Sequence, residues 1–127
     1  MTSSRTTLAP DARSAGVARR LVVAALHSAG REAQADIAEV LVSELVTNAI
    51  LHARTSCTLV MSIDENGVRI SVTDDSAAAA RRRDYGSDAT TGRGLALVEA
   101  LASSWGSRPS SGGKTVWFEL REPVMAT

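Results

Sequence analysis

The chain has 127 residues, a length that predicts one domain, and its hydrophobic fraction of 44% is enough for a buried core. Its 14 basic and 14 acidic residues balance, which argues against the basic surface of a nucleic-acid-binding protein. One cysteine and two histidines exclude an internal disulfide and a Cys/His zinc site, and without a signal sequence or a membrane span of ~18 apolar residues we expect a cytoplasmic protein.

The first half of the chain predicts two helices. Residues 1–12 are polar, and we expect them to be extended. Val17, Leu21 and Ala25 recur at helical spacing, so a helix is predicted over residues 14–28. After a break, a second helix is predicted from about Arg31 to His52.

The second half predicts strands and one further helix. "CTLVMSI" from Cys57 and "VRISVTD" up to Asp74 are predicted strands, joined by "DENG", whose Asn-Gly pair indicates a hairpin. Residues 75–94 are predicted to be a loop, and a loop this long is usually functional or disordered. "LALVEALASSWG" predicts a helix stopped by Gly106, "SRPSSGG" a turn and "KTVWFEL" a final strand. The order predicts an α/β arrangement with mixed or antiparallel strands.

Three polar residues, Glu44, Asn48 and His52, follow one another at four-residue spacing on the second predicted helix. With Glu44 at zero on the helix wheel, Asn48 lies at about 40° and His52 at about 80°, on the side of Leu41 and Leu45. The other polar residues fall between about 220° and 300°, the expected solvent face. They are Asp36, Glu39, Ser43, Thr47 and Arg54.

Two explanations fit this polar row. In the first, the row stands at the edge of the core and reaches water, which suits any one of the residues taken alone. A carboxylate away from the polar face is otherwise costly unless it is paired or binds a cation. All three residues together favour a site, and a carboxylate and an amide one turn apart can serve Mg²⁺, which prefers oxygen ligands.

The alternation of the second strand continues to its last residue. Val68, Ile70, Val72 and Asp74 share one face, so Asp74 is predicted to point inward and Asp75 outward. An inward acid at a strand end suits recognition of a polar edge inside an apolar pocket. The alternative is a turn aspartate that bonds its own backbone, which describes Asp75 better than Asp74.

Gly92 and Gly94 directly precede the third predicted helix. Backbone N–H groups at a helix start can bind phosphate, although glycine before a helix is common. The stretch is neither a Walker loop, since no G-x-x-x-x-G-K-[ST] exists, nor a dinucleotide-binding fingerprint, since "GRGLAL" lacks the third glycine and follows a loop.

These features occur in a recognisable order: E-x-x-x-N-A-x-x-H on a helix, an inward aspartate after a strand, and G-x-G-L before a helix. The chain thereby resembles the GHKL ATPase superfamily, with its N, G1 and G2 boxes. The compact length and the ending "GGKTVWFEL" are similar to the anti-sigma-factor serine kinases, from about residue 13 to 121. The resemblance implies a single Bergerat-type ATP-binding domain, an α+β two-layer sandwich with a mixed sheet covered on one face by helices.

The resemblance also implies roles for individual residues. Asn48 would hold Mg²⁺ and the phosphates of ATP, and Glu44 would be the general base that accepts the proton of a serine hydroxyl. Asp74 would bond the exocyclic amine of adenine, and Thr115 would help to fix the base. His52 ends the N box, where its role is structural or unassigned. Further lid and phosphate contacts are expected at Ser76, Gly92, Arg93, Gly94 and Leu95.

The chain departs from the family pattern in the G1 box. The usual D-x-G-x-G is replaced by the five residues from Asp74 to Ala78, so both glycines are missing. Ala78 costs backbone freedom if its φ must be positive, which affects nucleotide affinity and lid geometry. The run Arg81–Arg83 either reaches phosphates or is a solvated part of the loop, and the second is the commoner case.

Two functions follow from this reasoning. The first is an ATP- and Mg²⁺-dependent protein serine/threonine kinase that phosphorylates a small STAS-like anti-sigma antagonist and binds a sigma factor. The retained Glu44 supports it. The resemblance also implies that such a protein can form a homodimer. The second is a non-catalytic nucleotide-binding module that sequesters a partner, which the altered G1 box supports. A histidine-kinase catalytic domain is less favoured, because barely a dozen residues precede the first helix, and direct nucleic-acid binding has only the arginine run in its favour.

Overall fold

The computed structural model describes residues 2–75, 96–110 and 112–121. In chain order the elements are β1 (Thr2–Leu8), α1 (Arg13–Ser28), α2 (Glu32–Ala53), β2 (Cys57–Asp64), β3 (Gly67–Asp74), β4 (Ser104–Ser110) and β5 (Gly113–Arg121). Residues 96–101, just before β4, are also helical. None of the helices in the described part is long and apolar enough to cross a membrane.

The five strands form one sheet in the order β1-β2-β3-β5-β4, and all four neighbouring pairs are antiparallel. The expected α+β fold is confirmed. Among the strands of the described residues the sheet is antiparallel, where the resemblance implied a mixed one. The buried alternate residues of β2, β3 and β5 join both helices in one apolar core, with Phe118, Leu26, Leu41 and Ile70 among its fully buried side chains.

Both edge strands were absent from the sequence-based expectations. The N-terminal segment, expected only to be extended, is β1, which pairs with β2 from Thr2 to Leu8. Leu8 is its one buried residue, so the strand is held mainly by backbone hydrogen bonds.

The helix predicted to end at Gly106 in fact ends near residue 101, and the predicted turn after it is mostly strand β4. Gly106 lies under the Trp117 ring, where a Cβ atom would be 2.6 Å from the ring. Pro109 is compatible with β4 because β4 is an edge strand, the position in a sheet where proline is found.

The face of the sheet that the helices do not cover carries polar side chains linked across strands. The Arg69 guanidinium lies 4.1 Å from the centre of the Trp117 ring and donates to Glu119 at 2.9 Å. The Ser104 hydroxyl donates to the same carboxylate at 2.7 Å. These hydrogen bonds, that of Ser104 first and then that of Arg69, hold the pKa of Glu119 below its ordinary value of 4.5. Trp105, one position before Gly106, instead packs against the core on the helix side.

Helix α2 runs along the sheet from the β2–β3 hairpin to the opposite end. At its start, Gln34 donates to the Leu120 carbonyl at 3.2 Å. Just after its end, the hydroxyl of Thr55 accepts the N–H of Asp75 at 3.4 Å. The C-terminal half of α2 therefore lies at the end of the sheet where β3 finishes.

The predicted hairpin between β2 and β3 is confirmed, but its glycine is the first residue of β3 and does not lie in the turn. Asp64 pairs with Gly67, so Glu65 and Asn66 form the turn and Gly67 begins β3. Gly67 has φ +149°, and a Cβ atom there would lie 2.2 Å from the Leu120 carbonyl oxygen. Close approach of the neighbouring strand is therefore what requires glycine at this position.

Candidate functional site

Helix α2 presents Glu44 and Asn48 at the border of its buried side. Leu41 and Leu45, next to them on the wheel, are buried, whereas Glu44 and Asn48 are each half-buried. The geometry agrees with residues at the edge of the core that reach solvent. The backbone of His52 continues α2, but its side chain lies outside the described part of the structure.

The expected solvent face of α2 is partly wrong. Ser43, assigned to that face, accepts a hydrogen bond from Arg19 of α1 at 3.0 Å, so part of this side faces α1. The exposed apolar side chains of α2 instead flank the Glu44–Asn48 pair on the helix wheel. They are Ile37, Val40 and Leu51, with exposed fractions of 36%, 43% and 61%. Glu44 and Asn48 therefore stand in a partly apolar surface that is open to a ligand or a partner.

Asp74 ends the apolar inner face of β3, as predicted. Its exposed fraction is 3%, whereas Asp75 is exposed, so the predicted inward and outward directions are confirmed. In the cross-strand register, Asp74 stands opposite Cys57 of β2 on one side and Lys114 of β5 on the other. A carboxylate this buried needs hydrogen-bond donors, which makes the end of β3 a polar point within an apolar layer.

The thiol of Cys57, which stands opposite Asp74, has a pKa that reflects its buried and acidic surroundings. Cys57 is 1% exposed, and burial raises the pKa of its thiol to about 11. The carboxylates of Asp74 and Asp75 add to this rise, because a thiolate beside them would be repelled. Cys57 is therefore a neutral thiol at physiological pH.

Thr115 is not on the side of the sheet that its expected role requires. Its hydroxyl lies 2.7 Å from that of Thr73, and both side chains point to the face away from the helices. Lys114, one residue earlier, is on the face of Asp74. Counting back from Phe118 and Val116 along the strand alternation would have identified Lys114 from the sequence.

The level of Asn48 along the sheet can be worked out from element geometry. From Gln34, which contacts Leu120, α2 rises about 21 Å to Asn48. Along β5, the distance from Leu120 to Lys114 is about 20 Å. Asn48 is therefore about level with the Asp74–Lys114 pair, so α2 and the strand ends contribute to the same end of the molecule.

The remaining predicted site residues fall outside the described residues. They are Ser76, Gly92, Arg93, Gly94 and Leu95, together with the run Arg81–Arg83. Within residues 2–75, 96–110 and 112–121, no group of three or more His, Cys, Asp or Glu side chains could hold a metal ion. A cation bound near Asn48 would therefore need ligands other than a cluster of such side chains.

A pocket of about 250 Å³ lies at the other end of the sheet, around the β2–β3 hairpin. Asp64, Gly67, Arg69 and Arg121 are among its lining residues. It is a whole strand length away from Asp74, and none of the predicted site residues is among the residues that line it.

Comparison with known proteins identifies the domain. The family model for the histidine kinase-like ATPase domain matches residues 8–120. The chain belongs to this family. The resemblance to the GHKL ATPase superfamily is thereby confirmed, and the matched segment contains α2, the Asp74 strand end and β5.

A solved structure shares the fold. The crystal structure of the RsbU and RsbW domains of Rv1364c from Mycobacterium tuberculosis superposes with a TM-score of 0.73 at 23% sequence identity. The match covers 95% of this chain and 32% of that one, so this ATPase domain spans about a third of that chain's length. A search of curated proteins found no match.

Proposed function

We propose that this ATPase-family domain binds ATP with Mg²⁺ and acts as an anti-sigma-type protein serine kinase. The observation that carries the proposal is the common location of two elements. The half-buried Glu44–Asn48 pair lies at the level where β3 ends in the buried Asp74, and the Thr55–Asp75 hydrogen bond joins the two elements. Family membership supports a nucleotide as the ligand of this end of the molecule.

Asp74 fits the adenine part of such a ligand. A buried carboxylate accepts hydrogen bonds only, and the exocyclic amine of adenine is a donor of the required kind. The apolar inner faces of β2 and β3 next to it provide the surroundings that a purine ring needs.

Asn48 fits the metal part. Mg²⁺ usually keeps several waters and takes only one or two protein oxygens together with substrate phosphates, so a lone amide oxygen on α2 suits it better than a metal cage would. When bound, Mg²⁺ would neutralise charge on the phosphates. The phosphate contacts expected from Gly92 and Gly94 remain predictions.

Glu44 is the proposed catalytic base. Its carboxylate stands one helical turn before Asn48 and is half-buried, so an incoming serine hydroxyl could give up its proton to it. A serine hydroxyl is a weak nucleophile without such a base. The exposed side chains of Val40 and Leu51 beside Glu44 would contact the partner that carries this serine.

The proposed partners are a small STAS-like antagonist protein, which is the substrate, and a sigma factor, which is bound rather than phosphorylated. A homodimer is a further expectation of the resemblance. The alternative function, a nucleotide-binding module that only sequesters a partner, is favoured by one observation: Ser76 and Ala78 occupy the places of the two glycines of the usual G1 box.

Isothermal titration calorimetry with ATP and Mg²⁺ tests the binding step. We expect wild-type protein to bind, Asp74→Asn to bind more weakly, and Asp75→Asn to resemble wild type, because only Asp74 points inward. If wild-type protein gives no heat at millimolar nucleotide, the nucleotide proposal is wrong.

A second experiment separates binding from transfer. Glu44→Gln should keep ATP affinity and slow serine phosphorylation of a candidate antagonist by about 10²–10⁴, whereas Asn48→Ala should weaken Mg²⁺-nucleotide binding itself. Glu39→Gln is the matched control, since it makes the same change on another side of α2. Wild-type protein that binds ATP and the antagonist without phosphorylating it would favour the sequestering module.

A further inference from the structure

The pairing of β3 with β5 determines which residue stands next to Asp74. The register is continuous from the Gly67–Arg121 pair to the Asp74–Lys114 pair. Directly opposed residues of an antiparallel pair point to the same face, with Cβ atoms about 4.5–5.5 Å apart. The side chain of Lys114 therefore starts beside that of Asp74, on the helix-covered face.

The approach of the two strands at this point is unusually close. A Cβ atom on Gly113 would lie 1.9 Å from the carbonyl oxygen of Asp74 and 2.9 Å from its Oδ1. The absence of a side chain at Gly113 thus permits β5 to pack tightly against the end of β3. The backbone of Lys114 is fixed in position by the same contact.

The sequence makes this position distinctive, because Lys114 is the only lysine among the 127 residues, and every other basic residue is an arginine. In its row across the sheet, Lys114 stands between Asp74 and Pro109, and Cys57 follows on the far side of Asp74. The charged groups in this row of described residues are the carboxylate of Asp74 and the ammonium of Lys114. The half-buried Lys114 side chain can bring an N–H donor to the edge of a ligand held by Asp74.

An acceptor and a donor placed side by side complement both purines. Adenine presents an amine donor at position 6 and the acceptor N1 next to it, whereas guanine presents the acceptor O6 and the donor N1–H. A carboxylate alone suits the amine of adenine and repels the O6 of guanine. With an ammonium next to it, the carboxylate can take the N1–H of guanine while the ammonium donates to O6.

We propose that Lys114 is a specificity-determining residue of the nucleotide site, which with Asp74 admits guanine nucleotides as well as adenine nucleotides. The inference rests on the proposed nucleotide-binding function. With adenine, Asp74 accepts from the 6-amine and Lys114 donates to N1. Guanine exchanges the donor and the acceptor along this edge, so its ring must bind turned over relative to adenine; Asp74 then accepts from N1–H and Lys114 donates to O6.

Calorimetric titration of ADP and GDP, each with Mg²⁺, tests the proposal on three proteins. Wild-type affinities for the two nucleotides should agree within about tenfold. Lys114→Met should lower GDP affinity at least about tenfold more than ADP affinity, the size expected for a hydrogen bond from a charged group. Arg108→Met is the control, because it removes a positive charge from the outer face of β4, opposite Thr115, and should change neither affinity.

A second measurement needs no variant. Since Lys114 carries the only lysine amine, acetylation with an N-hydroxysuccinimide ester, located by mass spectrometry, reports on this side chain. Saturating ADP or GDP should slow acetylation of Lys114 but not of the α-amine. ADP binding with a preference for ADP over GDP above about tenfold, or with the same preference in Lys114→Met as in wild type, overturns the role of Lys114 and leaves the proposed function intact. Failure of wild-type protein to bind either nucleotide overturns both.

Discussion

The close contact between Gly113 and Asp74 gives a prediction whose size follows from the structure. In Gly113→Ala, the new Cβ atom would lie 1.9 Å from the Asp74 carbonyl oxygen, so the strands must separate by at least roughly 1 Å. Backbone hydrogen bonds of about 2.9 Å between β3 and β5 would then exceed 3.5 Å near this point. Overpacking and one or two weakened hydrogen bonds together should lower the free energy of unfolding by about 2–3 kcal/mol.

Thermal unfolding followed by circular dichroism would measure this loss as a melting temperature lower by roughly 6–15 °C. Gly112→Ala is the matched control, because Gly112 has φ +78° and nothing lies within 4 Å of its missing Cβ. It should lose only about 1 kcal/mol, from backbone strain. Nucleotide affinity should fall in Gly113→Ala alone, since only that change displaces Asp74. A Gly113→Ala protein as stable as wild type would refute the close approach of the strands.

Three further predictions concern other parts of the domain. At pH 8, native Cys57 should react with a thiol reagent about a hundredfold more slowly than in the unfolded chain, because its pKa of about 11 leaves little thiolate; an equal rate would contradict its burial. The pKa of Glu119 is lowered in the folded state, so Glu119→Gln should be less stable than wild type above pH 4.5. Urea unfolding at a series of pH values should show this difference in stability vanish as pH falls through the folded-state pKa. Arg54, the residue that caps the C-terminal end of α2, has φ 57°, so Arg54→Gly should raise the free energy of unfolding by about 1 kcal/mol; urea unfolding that shows no gain would contradict the strain at this position.

The elements that sequence reasoning predicted well are those with one buried face. Ile70 and Val72 alternate with polar residues because a single face of β3 meets the helices, and the same alternation correctly turned Asp74 inward. The pattern carries direct physical information there, since burial selects every second side chain.

The edge strands could not be predicted in this way. β1 buries only Leu8, so backbone pairing rather than side-chain burial holds it, and backbone pairing leaves no trace in the residue pattern. In β4, Gly106 and Pro109 have the properties of residues that end elements. Their compatibility with a strand depends on the Trp117 ring and on the edge position, both of which are tertiary facts.

The positions of the candidate-site residues could be predicted in part, whereas their roles remain predictions. Helix and strand periodicity correctly placed Glu44 and Asn48 at the border of the buried side of α2 and Asp74 on the inner face of β3. Thr115 was chosen by resemblance, and the strand register contradicts its placement, because the shift of one residue between Lys114 and Thr115 exchanges the two faces of the sheet.

The two tryptophans offer an optical view of the sheet. Trp105 packs against the core on one face, while Trp117, on the neighbouring strand, lies on the other face beneath the guanidinium of Arg69. Since the chain has only these two indoles, its intrinsic fluorescence combines one signal from each side of the same pair of strands. Aqueous quenchers would distinguish the two environments, and a version of the protein with either tryptophan alone would report the loosening of one face independently of the other.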